Sequence, residues 1–248
     1  MSELKSEFVK PYQVEADKKN QVSSMFNNIS GSYDFLNHFL SLGIDKNWRK
    51  KAAARLKLIQ NESVVLDVAT GTSDLALEIY KQHQPAKIYG VDIAVKMLEI
   101  GRKKIEKKNW SEKIVLSEAD SENLPFEDNF FDAISVSFGV RNFAHVKKGI
   151  LEMHRVLKPG AQLLILEFSK PRVFPIKQLY NFYFSRILPF IGKITSKDQK
   201  AYQYLYESVQ AFPEGKEFEK LLSECGFSQV KSINLTLGIC SIYTGIKS

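Results

Sequence analysis

The feature that most constrains the fold is an alternation of short apolar runs with longer amphipathic stretches between Ser63 and Phe168. The apolar runs read SVVLDVA, AKIYGVDI, KIVLSEA, FDAISVSF and AQLLILEF, and helix-like segments lie between them at about 73–82, 94–108 and 145–157. Runs that are apolar on both faces and alternate with helices are typical of a parallel sheet covered by helices on both sides. We therefore predict an α/β fold.

Further elements flank this core. Before it, VSSMFNNISGSYDFLNHFLSLGIDKNWRKKAAARL predicts two or three amphipathic helices, and Lys158-Pro159-Gly160 is expected to end the last core helix and turn the chain into the fifth strand. After it come the aromatic stretch 173–194, a helical SKDQKAYQYLYESVQAF, the helix EGKEFEKLLSECGF, and strands at 228–236 and 239–246. Because Gly238 joins the last two strands so tightly, they must be antiparallel to each other.

The net charge and the composition of the first residues limit which classes of protein this sequence can belong to. The 248 residues carry a formal net charge of +7, an excess that suits nucleic acid, an anionic membrane surface or an acidic ligand. The basic residues concentrate on two predicted helices, where a solvated helix face is the plainer interpretation: Lys46, Arg49, Lys50, Lys51, Arg55 and Lys57, then Arg102, Lys103, Lys104, Lys107 and Lys108. Residues 1–11 lack the apolar core of a secretory signal, and no run approaches the ~18 apolar residues of a spanning helix. We expect a cytoplasmic protein, peripheral at most to the inner face of the membrane.

The two cysteines carry no metal or disulfide signal. Cys225 and Cys240 do not form a C-x-x-C pattern, and neither lies beside a histidine in the sequence. Both are therefore expected to be core thiols. We predict no metal site.

The first loop of the sheet is a candidate ligand site, since ligands in open α/β sheets bind beyond the carboxyl ends of the strands. The loop reads ATGTS, in which Gly71 lets a ligand approach and the N–H groups at the following helix start can hold an anion such as a carboxylate. The pattern is neither G-x-G-x-x-G nor a P-loop, which disfavours NAD and ATP. Asp67, on the strand before the loop, is near enough to attract a positive charge.

An acidic residue ends the second strand. Asp92 comes 20 residues after Thr72, a separation at which carboxylates hydrogen-bond ribose hydroxyls in both dinucleotide and S-adenosyl-L-methionine (SAM) sites. The single glycine at Gly71, flanked by hydroxyls, suits an amino-acid carboxylate and ammonium better than a pyrophosphate, which favours SAM. The plainer alternatives are a simple turn at Gly71 and a helix N-cap at Asp92.

Two later strand ends carry polar residues. Asp120 and Ser121 follow the third strand, where an adenine ring and its amino group are expected. The fourth strand ends at Ser137 and opens into a loop with Arg141 and Asn142, a position at which function concentrates.

Four segments together resemble a known family: LDVATGTSD, GVDIAVKML, LPFEDNFFDAISVSFGVRNF and RVLKPGAQLLILEFSKP. They are similar to class I SAM-dependent methyltransferases, and more narrowly to the UbiE-type family of menaquinone and ubiquinone biosynthesis C-methyltransferases. YDFLNHFLSLGIDKNWRK, YLYESVQAFP and NLTLGICSIYTGIK fit the same family, so the resemblance covers about residues 18 to 247. The FG-x-RN and EFSKP stretches are the family-specific ones.

The resemblance implies a Rossmann-like fold, with a mostly parallel seven-stranded sheet, an antiparallel C-terminal hairpin, and N-terminal and inserted helices. It implies one domain made of a helical lid region (1–60), a SAM-binding core (61–170), a helical insertion over the substrate pocket (171–212), and a C-terminal helix and strands (213–248). SAM contacts are carried over to Thr72, Asp92, Asp120, Ser121 and Ser137. The sequence departs from the family at Ser73, interpreted as an N-cap variation, and at Leu237, where glycine is common.

The resemblance also implies methyl transfer to a ring carbon of a prenylated quinol, most like demethylmenaquinol. We assign Arg141 to stabilise the quinol oxyanion, since a guanidinium is a poor base; the alternative is that Arg141 only pairs with a carboxylate to hold its loop. Tyr33, Asp34, Asn37 and His38 are further candidates on the lid, and the aromatic stretch 173–194 is a candidate wall for the polyprenyl tail.

Other functions stay open on the sequence alone. They are C-methylation of a benzoquinol in the ubiquinone pathway, a non-catalytic SAM-binding subunit of a quinone-synthesis complex, methylation of RNA or another small molecule, and an NAD-dependent oxidoreductase. No RNA-binding signature is visible, so no nucleic-acid partner is expected. Weak attachment to a membrane surface and a homo-oligomer are both compatible with the sequence.

Overall fold

The computed structural model describes residues 4–12, 15–41, 43–182 and 199–248, with the backbone alone at 32–40 and at positions 176, 179, 181, 199 and 202. The strands are β1 (Val64–Val68), β2 (Lys87–Asp92), β3 (Ile114–Glu118), β4 (Phe131–Ser137), β5 (Leu157–Phe168), β6 (Phe227–Leu235) and β7 (Cys240–Lys247). The helices in the described ranges are α1 (Lys5–Phe8), α2 (Lys18–Leu40), α3 (Ile44–Ala53), α4 (Asp74–His83), α5 (Val95–Glu106), α6 (Val146–Val156), α7 (Ile176–Phe182), α8 (Gln199–Ala211) and α9 (Lys216–Glu224).

The strands form one sheet in the order β3-β2-β1-β4-β5-β7-β6. The first five strands pair in parallel, while β7 runs antiparallel to both β5 and β6. This confirms the Rossmann-like, mostly parallel seven-stranded sheet with an antiparallel C-terminal hairpin. The order of the sheet reverses between β1 and β4, and in such sheets the ligand crevice lies at this switch point.

Alternate residues of each strand face opposite sides of the sheet and bury two separate cores. Leu66, Ile134 and Val136 pack with α6 and α9 on one face, whereas Val65, Ala133 and Leu164 pack with α3, α4 and α5 on the other. Because both faces are covered, the parallel strands carry apolar side chains toward both sides of the sheet, as their sequences indicate.

The N-terminal helix α2 belongs to neither core. Its Val22 and Met25 form a third apolar cluster with Ala201 and Tyr204 of α8. Helix α2 is also fixed to the loop after β2, where the Ser23 hydroxyl donates to the Ile93 carbonyl at 2.9 Å. These contacts hold α2 across the carboxyl edge of the sheet.

Two expectations of the sequence are wrong in detail. Lys158-Pro159-Gly160 do not form a separate turn, because β5 already begins at Leu157 and its register against β4 shifts after that pair to Ala133–Gln162. Arg49 is not part of an exposed basic face; its side chain is buried, pairs with Asp45, and lies 5.4 Å from the ring centroid of Phe138. In the described ranges, no helix is both long enough and apolar enough to cross a bilayer.

Candidate functional site

A cleft of about 650 Å³, open mouth included, lies at the carboxyl edge of the sheet. The loops after four strands line it: Gly71 after β1, Asp92 at the end of β2, Asp120 and Ser121 after β3, and Ser137 at the end of β4. Lys19, Val22 and Phe26 of α2 form another wall. The cleft thus brings together five of the seven cofactor contacts that the sequence predicts.

The loop after β1 adopts a conformation that few residues tolerate. Ala69, Gly71 and Ser73 all have left-handed backbones, with φ of 51°, 55° and 68°. The loop after β4 approaches it closely, since a Cβ on Gly139 would stand 2.5 Å from the Cβ of Ala69. Gly139 is therefore required for the two loops to meet at the floor of the cleft.

Three backbone N–H groups of the first loop, which precedes the start of α4 at Asp74, have partners within the protein. Thr70 donates to the Val91 carbonyl at 2.9 Å, Gly71 to an Asp92 carboxylate oxygen at 2.8 Å, and Ser73 to the Thr70 carbonyl at 2.8 Å. These three N–H groups stabilise the loop itself and are not offered to an anion.

Asp92 is held from two sides while it faces the cleft. Its Oδ2 accepts the Gly71 N–H and its Oδ1 accepts the Ala94 N–H, each at 2.8 Å. Burial raises the pKa of the Asp92 carboxyl, and these backbone donors oppose the rise. Each carboxylate oxygen has a second lone pair, which leaves Asp92 able to accept from ligand hydroxyls.

Asp120 joins the far wall of the cleft to helix α2. Its Oδ2 accepts from the Lys19 ammonium at 2.5 Å, and its Oδ1 accepts from the Glu122 N–H at 2.9 Å. The hydrogen bond to Asp120 raises the pKa of Lys19, which is thus a cation over the normal pH range. Through this ion pair the N-terminal helix closes over the end of the site that Ser121 also lines.

Two predicted contacts lie behind the wall of the cleft. Asp67 is fully buried and accepts from the hydroxyls of Thr70 and Ser135, each at 2.6 Å. Burial raises the pKa of Asp67 to about 6. Thr72 is also buried, and its hydroxyl oxygen accepts from the Lys104 ammonium at 2.9 Å. In this structure both side chains stabilise the loop, and direct cofactor contacts from them stay predictions.

Ser73 occupies the N-cap position of α4, but the expected cap is wrong. Its hydroxyl makes no capping hydrogen bond, and this fully buried oxygen has no hydrogen-bond partner. The reason is its left-handed backbone, whereas a capping residue needs an extended one. The side chain packs against α5 at Gly101, where an added Cβ would stand 2.5 Å from the Ser73 oxygen.

Arg141 lies beside the cleft in a buried ion pair. Its Nη1 donates to Glu167 Oε1 and to the Phe138 carbonyl, each at 2.6 Å, and the guanidinium lies 5.2 Å from the ring centroid of Phe168. A pairing of Arg141 with a carboxylate is also what the alternative interpretation of this residue, a role in holding its loop, predicts. The Arg141 Nε is buried and has no hydrogen-bond partner in the described structure, and Arg141 stands next to Asn142, which lines the cleft. Its role in catalysis stays a prediction.

Asn142 connects the cleft to helix α8. It lines the cleft, its amide nitrogen donates to the Phe138 carbonyl at 3.2 Å, and its amide oxygen accepts from the Tyr204 hydroxyl at 3.1 Å. Burial raises the pKa of Tyr204 well above its usual value, so the phenol stays protonated and remains a donor. The loop after β4 is therefore positioned by the inserted helix as well as by β5.

Sequence reasoning missed the residues of α2 and its neighbours. Lys18 is buried, donates to the carbonyls of Ser6 at 2.7 Å and Arg141 at 3.3 Å, and burial lowers its pKa to about 8. The apolar spacing of Val22 and Phe26 (i, i+4) shows a packed face but not what it covers. The side chains of Tyr33, Asp34, Asn37 and His38, and residues 183–194 of the aromatic stretch, lie outside the described residues.

The lining of the cleft fits the chemistry of SAM. Carboxylates of Asp92 and Asp120 can accept from ribose and amino groups, and Ser121 and Ser137 add hydroxyls. The remaining lining is largely apolar, which suits a purine ring and a methylthioether chain. Backbone of the left-handed Gly71 forms part of the wall, and there an ordinary side chain is strained.

Comparison with known proteins points to one family. The ubiE/COQ5 methyltransferase family model matches residues 13–247. The chain is 46% identical to a demethylmenaquinone methyltransferase of Bacteroides fragilis, over 97% of this chain and 98% of the relative. It is 43% identical to a ubiquinone/menaquinone biosynthesis C-methyltransferase UbiE of Geotalea daltonii, over 93% of this chain and 98% of the relative.

A solved structure shows the same fold at low sequence identity. The [4+2]-cyclase SpnF superimposes with a TM-score of 0.71 and 16% identity, covering 100% of this chain and 99% of that one. The fold match on its own says nothing of the reaction, but the sequence matches do. They confirm the SAM-dependent methyltransferase expected from the motifs, and the chain belongs to the ubiE/COQ5 methyltransferase family.

Proposed function

We propose that this protein transfers a methyl group from SAM to a ring carbon of demethylmenaquinol and so forms menaquinol. The observation that carries the proposal is near full-length identity of 46% and 44% to demethylmenaquinone methyltransferases of Bacteroides fragilis and Porphyromonas gingivalis. The cleft at the switch point of the sheet, with its acidic and apolar lining, supports the cofactor side of the reaction.

The residues proposed to hold the cofactor line that cleft. Asp92 is placed to accept from ribose hydroxyls, Asp120 and Ser121 to contact the adenine end, and Gly71 and Ser137 to border the methionine end. When bound, SAM supplies an electrophilic methyl group on a sulfonium. Lys19 neutralises Asp120 and, together with Phe26, encloses the cofactor from the side of α2.

The chain's own contribution to the chemistry is positioning and electrostatics. A carbon nucleophile must be held in line with the methyl group, and ionisation of a quinol hydroxyl enriches that carbon. We assign stabilisation of the oxyanion to Arg141, whose buried Nε–H is a donor without a partner in the described structure. Glu167 and the Phe138 carbonyl fix the rest of the guanidinium, so this donor is held in a fixed direction.

The divisions of the chain have corresponding proposed roles. Residues 61–170 form the cofactor core, and 1–60 act as a lid through α2. Residues 171–212 cover the substrate pocket, and 213–248 complete the sheet. Since the proposed substrate carries a polyprenyl tail, we also propose weak association with the membrane surface, which the net charge of +7 supports.

A benzoquinol of the ubiquinone pathway is the second candidate substrate. One observation favours it: the Geotalea daltonii relative is named for both ubiquinone and menaquinone biosynthesis. The two candidate substrates differ in their ring systems, since a naphthoquinol carries a fused second ring that a benzoquinol lacks.

The test is complementation of a bacterium that makes both quinones and lacks its own C-methyltransferase. We expect menaquinone to be restored, with each quinone read separately by mass spectrometry. Asp92→Ala should fail to complement, and Ile59→Ala, which changes an exposed side chain before β1, should complement as the parent does. Restoration of ubiquinone alone would favour the second candidate, and an inactive but SAM-binding protein would favour a non-catalytic subunit.

A further inference from the structure

Three large apolar side chains stand exposed together at the carboxyl edge of the sheet. Val173 and Phe174, which follow β5, are 60% and 77% exposed, and Leu237 at the tip of the β6–β7 hairpin is 64% exposed. Val173 and Leu237 line one surface depression of about 970 Å³, open mouth included. We call the patch formed by Val173, Phe174 and Leu237 the apolar rim.

Leu237 combines a strained backbone with a side chain that is exposed rather than packed in the core. Leu237 has a left-handed conformation with φ of 56°, next to Thr236 with φ of 46°. Glycine adopts this conformation without the clash that a Cβ causes. Strain of this kind, kept at a position where the side chain points to solvent, indicates a use for that side chain outside the folded core.

Ionisable side chains of both signs surround the apolar rim, and two of its cations are highly exposed. The side chains of Arg172 and Lys216, which line the same depression, are 80% and 94% exposed, and Lys177 on α7 is exposed as well. Arg172 also pairs with Glu214 at 3.1 Å and Lys216 with Glu219 at 2.7 Å, and the side chains of these two carboxylates are each only 12% exposed. Glu217 is the exposed carboxylate in the lining of the depression. Exposed apolar side chains among exposed cations match an anionic lipid surface, which accepts both.

A continuous series of contacts runs from the cofactor cleft to the apolar rim. Phe138 lines the cleft and its ring centroid lies 4.4 Å from that of Phe168, which lies 6.1 Å from that of Trp48. The Trp48 indole donates to the Thr236 hydroxyl at 2.7 Å, beside Leu237. The rim and the cleft therefore occupy the same edge of one rigid sheet.

We propose that the apolar rim, with Arg172, Lys177 and Lys216 around it, is the surface by which this protein docks on an anionic membrane. Docking there turns the carboxyl edge, which carries the cleft, toward the lipid. The benefit of this orientation rests on the proposed function, because a prenylated quinol resides in the bilayer, but the binding itself does not. The basic faces of α3 and α5 are then not the contact.

The experiment is co-sedimentation of the full chain with vesicles of phosphatidylcholine alone or mixed with phosphatidylglycerol. We expect preference for the mixed vesicles, weakened by salt. The double variant Phe174→Ser/Leu237→Gly should lower the partition coefficient roughly tenfold or more, since it removes most of the apolar area available for insertion. The matched control is Ile59→Ser, a 63% exposed apolar residue before β1 at the opposite edge, and it should bind as the parent does.

Leu237→Gly alone provides a further distinction. Because it relieves backbone strain, it should leave the melting temperature unchanged or higher while it weakens vesicle binding. The proposal is overturned by equal loss in Ile59→Ser, by absence of preference for anionic vesicles, or by loss confined to a Lys103→Glu/Lys107→Glu variant of α5. A change of oligomeric state in sedimentation, without a change in vesicle binding, would instead assign the rim to a second copy.

A turnover assay distinguishes failure of the docking proposal from failure of the proposed function. With a short-chain, water-soluble demethylmenaquinol, the Leu237→Gly variant should turn over as the parent does, since Leu237 does not line the cleft and lies outside the segment 171–212 that is proposed to cover the substrate pocket. If the parent methylates no quinol but binds anionic vesicles through the rim, the proposed function fails and the docking surface stands.

Discussion

The Arg141 guanidinium lies 2.6 Å from a carboxylate oxygen of Glu167, and both residues are almost completely removed from solvent, at 3% and 0% exposure. The same oxygen accepts the Phe168 N–H at 2.9 Å, and the guanidinium also donates to the Phe138 carbonyl. This pair fixes the loop after β4 to the end of β5, at the point where the sequence places the reacting ring.

The first prediction separates catalysis from structure at this pair. Arg141→Ala leaves the Glu167 charge buried and unpaired, so we expect a loss of stability of about 3–5 kcal/mol by urea unfolding. The double variant Arg141→Ala/Glu167→Ala removes that unpaired charge and should regain part of the stability. Turnover should stay low in both variants, with SAM affinity changed far less than kcat.

Recovery of turnover together with stability in the double variant would contradict a role for Arg141 at the substrate. Glu167→Gln is the companion change, since it keeps the shape but not the charge. If Glu167 only positions the guanidinium, this variant should lower kcat without a matching change in KM for SAM.

The second prediction concerns cofactor affinity. Asp92→Ala removes the acceptor that faces the cleft and should weaken SAM binding by roughly 1.5–3 kcal/mol, measured by calorimetry. It also frees the Gly71 and Ala94 N–H groups, so some loss of stability should accompany it. Asp92→Asn retains one acceptor oxygen and is the milder control. Unchanged SAM affinity in a folded Asp92→Ala protein would exclude this residue from the site.

The third prediction uses the strain at Ser73. Ser73→Gly relieves a left-handed backbone and removes a buried hydroxyl without a partner, so it should raise the free energy of unfolding by about 1 kcal/mol. Ser73→Ala removes the hydroxyl but keeps the strain, and it should give a smaller gain. A glycine variant that unfolds earlier than the parent would show that the hydroxyl contributes more than its geometry indicates.

The fourth prediction follows from the raised pKa of Asp67. In the unfolded chain the pKa is near 3.8 and in the folded protein burial raises it to about 6, so between these values the folded state binds more protons. Stability from this group is full below pH 3.8 and is lost as the pH rises through about 6. Relative to Asp67→Asn, the parent should lose at most about 3 kcal/mol across this range.

Urea unfolding of the two proteins at pH 4 and pH 7 measures that difference, because the other titrating groups cancel. Asn keeps an acceptor for the Ser135 or Thr70 hydroxyl, so the comparison isolates the charge. A difference that is constant with pH would show that Asp67 ionises normally.

Periodicity made the core of the fold predictable. The runs from Val64 to Phe168 carry apolar residues on both faces of each strand, which is typical of a doubly covered parallel sheet, and the strand ends then identify Asp92 and Ser137. The place of β7 between β5 and β6 was not predictable. Either strand of the C-terminal hairpin could pair with the open edge of β5, and the sequence does not indicate which one does.

The site was predictable at strand ends and unpredictable elsewhere. Asp92 and Asp120 follow strands, and position alone brings them to the cleft. Asp67 and Thr72 are adjacent in sequence to the same loop, yet their side chains turn into the protein toward Ser135 and Lys104. Lys19 comes from a helix remote in sequence, and nothing local in the sequence indicates its pairing with Asp120.

The strand order also sets an order of events during folding. Among the described strands, β6 pairs only with β7, and β7 in turn pairs with β5. During synthesis β6 is therefore made before β7, the strand that connects β6 to the rest of the sheet. Until Cys240–Lys247 arrives, the long strand β5 presents an open edge with unpaired N–H and C=O groups, the kind of edge that recruits other chains. Aggregation during synthesis should therefore depend more on the last strand than on any residue of the cleft.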